Sequence, residues 1–214
     1  MAGTSELKDL YEKDPYGDAT VAKLEAYAKE ELAGSSVYDF EANKALVKYY
    51  QCFPDKTNVD MLLGVLMMAL MHLPATDFLA LSCIAPGTAA QSMTAIQELA
   101  DALTSGRFGP FWGSMGAIKG KAYMPKDFEA KVRAYILTSV QRTFTNISRA
   151  QVETMLGLSG GDLEKLLSAS AVVRESKPDI IVFSPCTENQ KSGAKFDETL
   201  SFDDVLKVMK TLAE

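Results

Sequence analysis

Apolar residues recur every three or four positions along the first two-thirds of the chain, the pattern of amphipathic helices packed against one another. In residues 38–54, YDFEANKALVKYYQCFP, Asp39 is placed to cap the helix N-terminus. Pro54 ends the run because it has no N–H to donate. The apolar side chains at helical spacing in this run are Phe40, Leu46, Val47 and Tyr50. The string therefore predicts a core helix.

Comparable patterns predict further helices in the same part of the chain. They cover residues 18–33, 57–72, 88–103, 108–118 and 125–142, together with a short helix that Thr76 or Asp77 can cap. Pro125 suits the first turn of the helix that it precedes. Helices of this length joined by short turns favour stacked antiparallel pairs, and no fixed-period sequence repeat is evident.

The pattern changes after Phe144, where two short helices are followed by two strand-like runs. The helices are predicted over residues 148–158 and from residue 160, the latter with Leu163, Leu166 and Leu167 facing inward. The strands are predicted over residues 171–174 and 180–183, with turn chemistry at Lys177-Pro178-Asp179 between them. Two short helices and a hairpin in this order are the layout of a winged helix.

A polar linker over residues 187–195 leads to a last predicted helix, residues 201–213. Its apolar side chains form a narrow stripe at three- and four-residue spacing, typical of a helix that packs against another helix. The stripe consists of Phe202, Val205, Leu206, Met209 and Leu212. These residues are a candidate protein interface, and the alternative is that the helix folds back on its own domain.

Charge is distributed unevenly along the chain. The formal net charge is -6, which argues against a general nucleic-acid binder, since such proteins neutralise phosphates with basic side chains. Residues 107–149 nevertheless hold eight basic residues and only Asp127 and Glu129 as acidic ones. The candidate basic patch within this segment is Lys119, Lys121, Lys126, Lys131 and Arg133. It is interpreted as a surface facing an acidic partner or ribosomal RNA, or else as an ordinary solvated surface.

Cysteine usage and hydropathy predict a cytoplasmic protein without a membrane segment. The three cysteines, Cys52, Cys83 and Cys186, are far apart, so neither a disulfide framework nor a zinc site is expected. The strongest apolar run, MLLGVLMMALM at residues 61–71, is much shorter than the roughly 20 residues of a membrane span. It predicts a buried helix instead. The first ten residues contain no apolar signal core.

Residues able to carry chemistry are scarce. The one histidine, His72, has no partner nearby in sequence, and a capping or packing role is the expected one. Acidic residues are not paired on apolar segments, and no phosphate-cradling glycine motif occurs. The glycines of residues 106–120 surround Phe111 and Trp112, where tight packing is the favoured explanation. No catalytic residue, cofactor or metal site is therefore predicted.

A winged helix raises the hypothesis of DNA binding through its second helix, which would enter the major groove. That helix carries Asp162 and Glu164 against Lys165, so acidic side chains would face the DNA phosphates. The other use of such a module is protein docking. A winged-helix nucleic-acid-binding regulator is kept as the second hypothesis for function. A helical protein with a small-molecule pocket near Trp112 is the third.

Four blocks of sequence, in the same order, resemble the subunit K family of eukaryotic translation initiation factor 3. They are YDFEANKALVKYYQ from Tyr38, LPATDF from Leu73, the pair Phe111-Trp112, and MLGL from Met155. The resemblance covers about residues 38–167. The chain departs from the family pattern in the alanine- and glycine-rich residues 85–90 and 113–120.

The resemblance implies a mostly α fold of the PCI type, with HEAT-like stacked helical pairs, a winged-helix module with a small β-hairpin, and a C-terminal helix. The corresponding domains are residues 1–143, 144–186 and 187–214. It also implies a non-catalytic scaffold subunit, without cofactor, of a large cytoplasmic complex that binds the small ribosomal subunit. The expected partners are the other subunits of the factor, with subunit L as the neighbour and the C-terminal helix in a shared bundle.

Overall fold

The computed structural model describes residues 8, 11, 13, 14, 16–190 and 202–212. Within residues 16–190 and 202–212 it contains ten α-helices and a three-stranded antiparallel sheet. The helical part consists of α1 (Asp18–Leu32), α2 (Phe40–Cys52), α3 (Val59–Leu70), α4 (Asp77–Ile84), α5 (Ala90–Thr104), α6 (Phe108–Met115) and α7 (Phe128–Thr143). Short 3-10 turns at Pro54–Lys56 and Gly87–Ala89 precede α3 and α5.

Side-chain caps set the starts of α2 and α3. The Asp39 carboxylate accepts hydrogen bonds from the backbone N–H groups of Glu41 and Ala42, at 3.0 and 3.3 Å, as the sequence predicts. The Asn58 side chain accepts from the N–H of Met61 at 3.2 Å. Thr76 precedes α4 without a side-chain capping bond.

Helix α3 is the centre of the helical part. Ten of its twelve residues are buried, and it contacts α1, α2, α4 and α5. A helix that is apolar all round is stable when neighbours cover all its faces, which accounts for the apolar run at residues 61–71. Gly64 permits the close approach of α1, because a Cβ at this position would lie 2.8 Å from Leu32 Cδ1. Among the described helices, none combines the length and the hydropathy needed to cross a membrane.

The start of α7 corrects the sequence prediction. Placing Pro125 in the first helical turn is wrong, because the helix begins at Phe128 and Pro125 is buried in the preceding loop. The chain turns at Asp127, whose φ of 62° lies in the left-handed region. The N–H of Lys126 donates to the carbonyl of Leu32 at 2.9 Å, which ties this loop to the end of α1.

The next elements are β1 (Asn146–Ser148), α8 (Arg149–Leu156), α9 (Gly161–Ala169), β2 (Val173–Ser176) and β3 (Ile180–Phe183). The strand order is β1-β3-β2, and the buried Ile147 pairs with the buried Ile181. The prediction of a first hairpin strand at residues 171–174 is wrong by two residues, since β2 starts at Val173. The prediction also omits β1, because three residues are too few to show an alternating pattern.

Helix α10 (Phe202–Leu212) is the last described element, and all its residues are exposed. Residues 201 and 213 of the predicted helix, and residues 191–195 of the predicted linker, lie outside the described residues. The predicted fold class is confirmed, since the molecule is mostly α-helical with a small antiparallel sheet and a C-terminal helix. The domain boundaries at residues 143 and 186 stay a prediction.

Candidate interaction surfaces

The five residues of the candidate basic patch differ in their surroundings. Lys119 and Arg133 converge on Glu129, with Lys119 Nζ 2.7 Å from Glu129 Oε1 and Arg133 Nη2 3.0 Å from Glu129 Oε2. The hydrogen bond from Lys119, and then the one from Arg133, holds the pKa of Glu129 below its ordinary value. Two of the five positive charges are therefore paired within the chain.

Arg133 also packs on Trp112, where the helical part meets the winged helix. Its side chain is only 15% exposed, and its guanidinium carbon lies 4.7 Å from the centre of the Trp112 ring. Arg133 Nε donates to the carbonyl of Leu156 at 3.3 Å, and Trp112 Nε1 donates to the carbonyl of Met155 at 2.8 Å. These contacts join α6 and α7 to the end of α8, and a cation over an indole adds to their stability.

Gly157 completes this contact region, which we call the Trp112 junction (Trp112, Arg133 and Gly157). Gly157 ends α8 with a φ of 60°, and a Cβ there would lie 2.9 Å from Trp112 Cγ. Phe111 is fully buried beside Trp112, with their rings 5.0 Å apart and nearly perpendicular. The prediction that tight packing explains the glycines of residues 106–120 is wrong, because an added Cβ at Gly106, Gly113 or Gly120 would meet open space. The glycine packed against Trp112 is Gly157. The hypothesis of a small-molecule pocket gains no support from the indole, whose N–H and one ring face are already in contact with protein groups.

The remaining members of the patch, Lys121, Lys126 and Lys131, are exposed. Lys126 and Lys131 line a cleft of about 380 Å³ formed by the ends of α1 and α3, the loop after α1 and the start of α7. We call this cleft the His72 cleft, because the one histidine of the chain is part of its wall. Lys121 does not line the His72 cleft.

His72 has the packing role that the sequence predicts. Its ring stacks on Tyr38 at a centroid distance of 3.9 Å, and its Nδ1 lies 2.9 Å from the carbonyl oxygen of Met68. The Tyr38 hydroxyl donates to Asp77 Oδ2 at 3.1 Å. Burial, followed by the negative charge of Asp77, raises the pKa of the Tyr38 phenol. The ring pair thus fixes the loop after α1 against the segment that follows α3, and the hydrogen bond to Asp77 ties it to the start of α4.

Glu31 is a buried acidic residue that the sequence analysis does not single out. Only 7% of it is exposed, and its two carboxylate oxygens accept hydrogen bonds from Asp39 N–H at 2.6 Å and from Asn43 Nδ2 at 2.7 Å. Burial raises its pKa to about 7, against the lowering effect of these hydrogen bonds. A sequence signal exists, since Glu31 shares the helix face of the buried Leu24 and Ala28.

Helix α9, the second helix of the winged-helix module, presents little free positive charge. Asp162 and Glu164 lie in its first turn. Lys165 Nζ is 3.2 Å from Asp162 Oδ1, and Arg149 forms ion pairs with Glu164 and with Glu153. The cations in contact with this helix end are already paired, which disfavours phosphate binding there.

The candidate interface of α10 is placed in solvent. Phe202, Met209 and Leu212 are 78%, 63% and 81% exposed, while Val205 and Leu206 are about two-fifths exposed. Large apolar side chains that remain exposed along one helix face are typical of an interaction surface. The charged residues of the helix, which include Asp203, Lys207 and Lys210, occupy its other faces.

Within the described parts of the chain, no three His, Cys, Asp or Glu side chains come together as a metal site. The three cysteines are unbonded, with Cys52 and Cys83 exposed and Cys186 half-buried. The strongly perturbed groups that the structure describes, Glu31, Tyr38 and Tyr50, all serve packing contacts between helices.

The sequence of the chain is similar to those of known proteins. Residues 56–189 match the CSN8/PSMD8/EIF3K family. The chain is 30% identical to human eukaryotic translation initiation factor 3 subunit K over 201 residues, 92% of this chain and 90% of that protein. It is 30% identical to the Xenopus laevis subunit K over 200 residues, 92% of this chain and 90% of that protein. It is 26% identical to the Drosophila erecta subunit K over 194 residues, 89% of this chain and 86% of that protein.

The similarity extends beyond the family match on both sides and covers the helical part as well as the winged helix. The resemblance that the sequence blocks indicate is thereby confirmed. The chain belongs to the CSN8/PSMD8/EIF3K family.

Proposed function

We propose that the chain is a non-catalytic scaffold subunit of a eukaryotic translation initiation factor 3 complex, in the position of subunit K. The observation that carries this proposal is the similarity to the human subunit K over 92% of this chain and 90% of that protein. A match of this extent includes both the helical part and the winged helix. It therefore supports the same role in an assembly, beyond a shared fold.

The chemistry of the described residues supports a binding role. The buried Glu31 accepts a hydrogen bond from the N–H of Asp39 at the start of α2. Arg133 donates to the carbonyl of Leu156 at the Trp112 junction. The translation-factor relatives and this set of structural contacts favour a subunit that acts by contacting other proteins.

We further propose that α10 binds neighbouring subunits, with subunit L as the expected neighbour and a shared helical bundle as the site. The exposed stripe of Phe202, Val205, Leu206, Met209 and Leu212 supports this assignment. Burial of one large apolar side chain stabilises a complex by about 1.5–3 kcal/mol, so a buried stripe would be a substantial anchor. Contact with the small ribosomal subunit is proposed to occur through the complex, in the cytoplasm.

The test is co-elution of the purified chain with purified subunit L on size-exclusion chromatography. The full chain is expected to form a complex, and a variant that ends at residue 200 is expected to lose it while keeping the unfolding temperature of the full chain. A truncated variant that unfolds at a much lower temperature would show that α10 packs on the rest of its own chain. A complex that survives truncation would place the contact elsewhere.

The alternative function is a winged-helix nucleic-acid-binding regulator, which rests on the order of α8, α9 and the hairpin. The paired charges around Asp162 and Glu164 argue against it. Fluorescence anisotropy with a labelled duplex DNA separates the two functions. Saturable, sequence-dependent binding that persists at physiological salt would favour the regulator.

A further inference from the structure

The His72 cleft has unused positive charge. Lys126 and Lys131 form no ion pair within the described part of the chain, in contrast to Lys119 and Arg133. The Lys126 stem packs over Gly34, where its Cδ lies 3.4 Å from the position of an added Cβ. This packing holds the lysine chain against the cleft wall. Two lysines therefore line one concave surface, on either side of Asp127 in sequence.

The N-terminus of α7 borders the same cleft. Asp127 and Lys131 both line it, and Asp127 makes no side-chain capping bond to the helix. The first intrahelical hydrogen bond runs from Lys131 N–H to the Asp127 carbonyl at 3.1 Å. The first-turn N–H groups of this sixteen-residue helix thus remain without a side-chain cap, and the helix dipole favours negative charge there.

The other groups of the wall are mostly occupied or apolar. The Ser36 hydroxyl is buried near the Tyr27 phenol and is not exposed to the cleft. His72 Nδ1 lies 2.9 Å from the Met68 carbonyl oxygen and donates to it, so the ring is fixed in the wall and reports on the cleft. The apolar part of the wall includes Met68 and Met71. A volume of about 380 Å³ falls within the ordinary range for ligand sites.

Two carboxyl groups, Glu31 and Asp127, also line the cleft and oppose an anion. The Glu31 oxygens are occupied by the Asp39 N–H and Asn43 side-chain donors, and with a pKa of about 7 this group carries less negative charge near neutrality than an ordinary carboxylate. Two lysines against Asp127 and a partly ionised Glu31 leave less than one positive charge. That balance matches a single carboxylate better than a doubly charged phosphate ester.

We infer that the His72 cleft binds an acidic protein segment, with one of its carboxylates held by the ammonium groups of Lys126 and Lys131 and its apolar atoms against Met68 and Met71. The inference assigns two residues of the candidate basic patch to a defined site. It does not require that the chain belongs to an initiation factor, so it can fail or hold independently of that role.

His72 makes the test specific, because it is the one histidine of the chain and its imidazole proton signals report on this cleft alone. The full chain, purified without a histidine tag, is titrated with a short capped glutamate peptide while the His72 signals are followed by NMR. A saturable shift is expected, and the glutamine counterpart of the peptide is expected to produce none. The double variant Lys126→Glu, Lys131→Glu should weaken binding by about tenfold or more.

Lys121→Glu is the matched control, because Lys121 is an exposed lysine of the same segment that does not line the cleft. It should change the affinity by less than about twofold, within the range of screened surface charges. An equal loss in Lys121→Glu and in the double variant would overturn the inference in favour of diffuse attraction. The absence of a His72 shift, or a shift with inorganic phosphate alone and none with the glutamate peptide, would also overturn it.

Discussion

The Glu31 carboxyl ties the end of α1 to the start of α2 through the Asp39 N–H and the Asn43 side chain. Its pKa is raised from 4.5 to about 7 by burial, so the folded chain binds this proton more tightly than the unfolded chain does. The resulting stability is fully present below the unfolded pKa. It is lost as the pH rises through the folded pKa.

We therefore expect the free energy of unfolding to fall between pH 4.5 and pH 7 by about 2 kcal/mol on account of Glu31, allowing for partial solvent screening. Glu31→Gln, which imitates the protonated acid, should remove this part of the pH dependence. The measurement is urea unfolding of both proteins across this range. Glu30→Gln, an exposed neighbour, is the control and should keep the wild-type slope. Equal slopes for wild type and Glu31→Gln would contradict the assignment.

Gly157 is the residue on which the Trp112 junction can be tested. An added methyl group would lie 2.9 Å from Trp112 Cγ, and the φ of 60° is unfavourable for alanine. Gly106→Ala is the matched control, because Gly106 has a φ of 72° and open space around its Cβ position. We expect Gly157→Ala to reduce the free energy of unfolding by about 1–2 kcal/mol more than Gly106→Ala does.

Trp112 is the one tryptophan of the chain, so its fluorescence can be used to monitor unfolding in denaturant. This measurement gives the difference in the free energy of unfolding between the two variants. A changed emission maximum of native Gly157→Ala, with that of native Gly106→Ala unchanged, is also expected. Equal destabilisation by the two substitutions would mean that only the backbone conformation matters. The Trp112 ring would then move away from the added methyl group without a loss of stability.

Residues whose roles depend on local sequence were predictable, and those whose roles depend on distant contacts were not. The Asp39 cap acts within three residues of chain and was visible in the sequence. Arg133 was grouped with the exposed basic residues, yet its partners include Trp112 and the carbonyl of Leu156. Such pairings arise only when α6, α7 and α8 meet, and no local pattern encodes them.

At the scale of elements, α10 differs from the other helices in having no buried residue. Each of helices α1 to α9 has at least one buried apolar residue, and α3 has ten buried residues. An amphipathic helix with an uncovered apolar face is expected to acquire a partner. This contrast supports α10 as the proposed docking element.

Met209→Asp places a charge in the middle of the α10 stripe, and Thr211→Asp places the same charge on the opposite face. We expect Met209→Asp to weaken binding to subunit L by about tenfold or more, because an unpaired charge would be buried in the interface. Thr211→Asp should have little effect. Both variants should unfold at the wild-type temperature, since both positions are exposed. Similar affinities for the two variants, measured by isothermal titration calorimetry, would argue against the stripe.

Most helices were predictable because their apolar spacing is regular and their ends carry caps or glycines. The winged-helix order was also visible, as were Gly157 and the turn before β3. The start of α7 was not, because its position depends on the hydrogen bond between Lys126 and Leu32, ninety-four positions apart in sequence. Strand β1 was not visible either, since its three residues are specified by pairing with β3.

For the molecule as a whole, the charge distribution argues against direct duplex binding by the winged helix. The net charge is -6, and the carboxylates at the start of α9 are paired with Lys165 and Arg149. We expect no saturable binding of a duplex DNA at physiological salt, and only weak, strongly salt-dependent binding at low salt. Electrophoretic mobility shift at two salt concentrations checks this expectation. A sequence-dependent complex at physiological salt would favour the regulator hypothesis.

Membership of initiation factor 3 is tested most directly by affinity purification of the tagged chain from its own cells, with quantitative mass spectrometry of what co-purifies. The account predicts the other subunits of the factor in near-equal amounts, together with proteins of the small ribosomal subunit. Recovery of the chain alone, or with the subunits of a different complex in place of factor subunits, would contradict it.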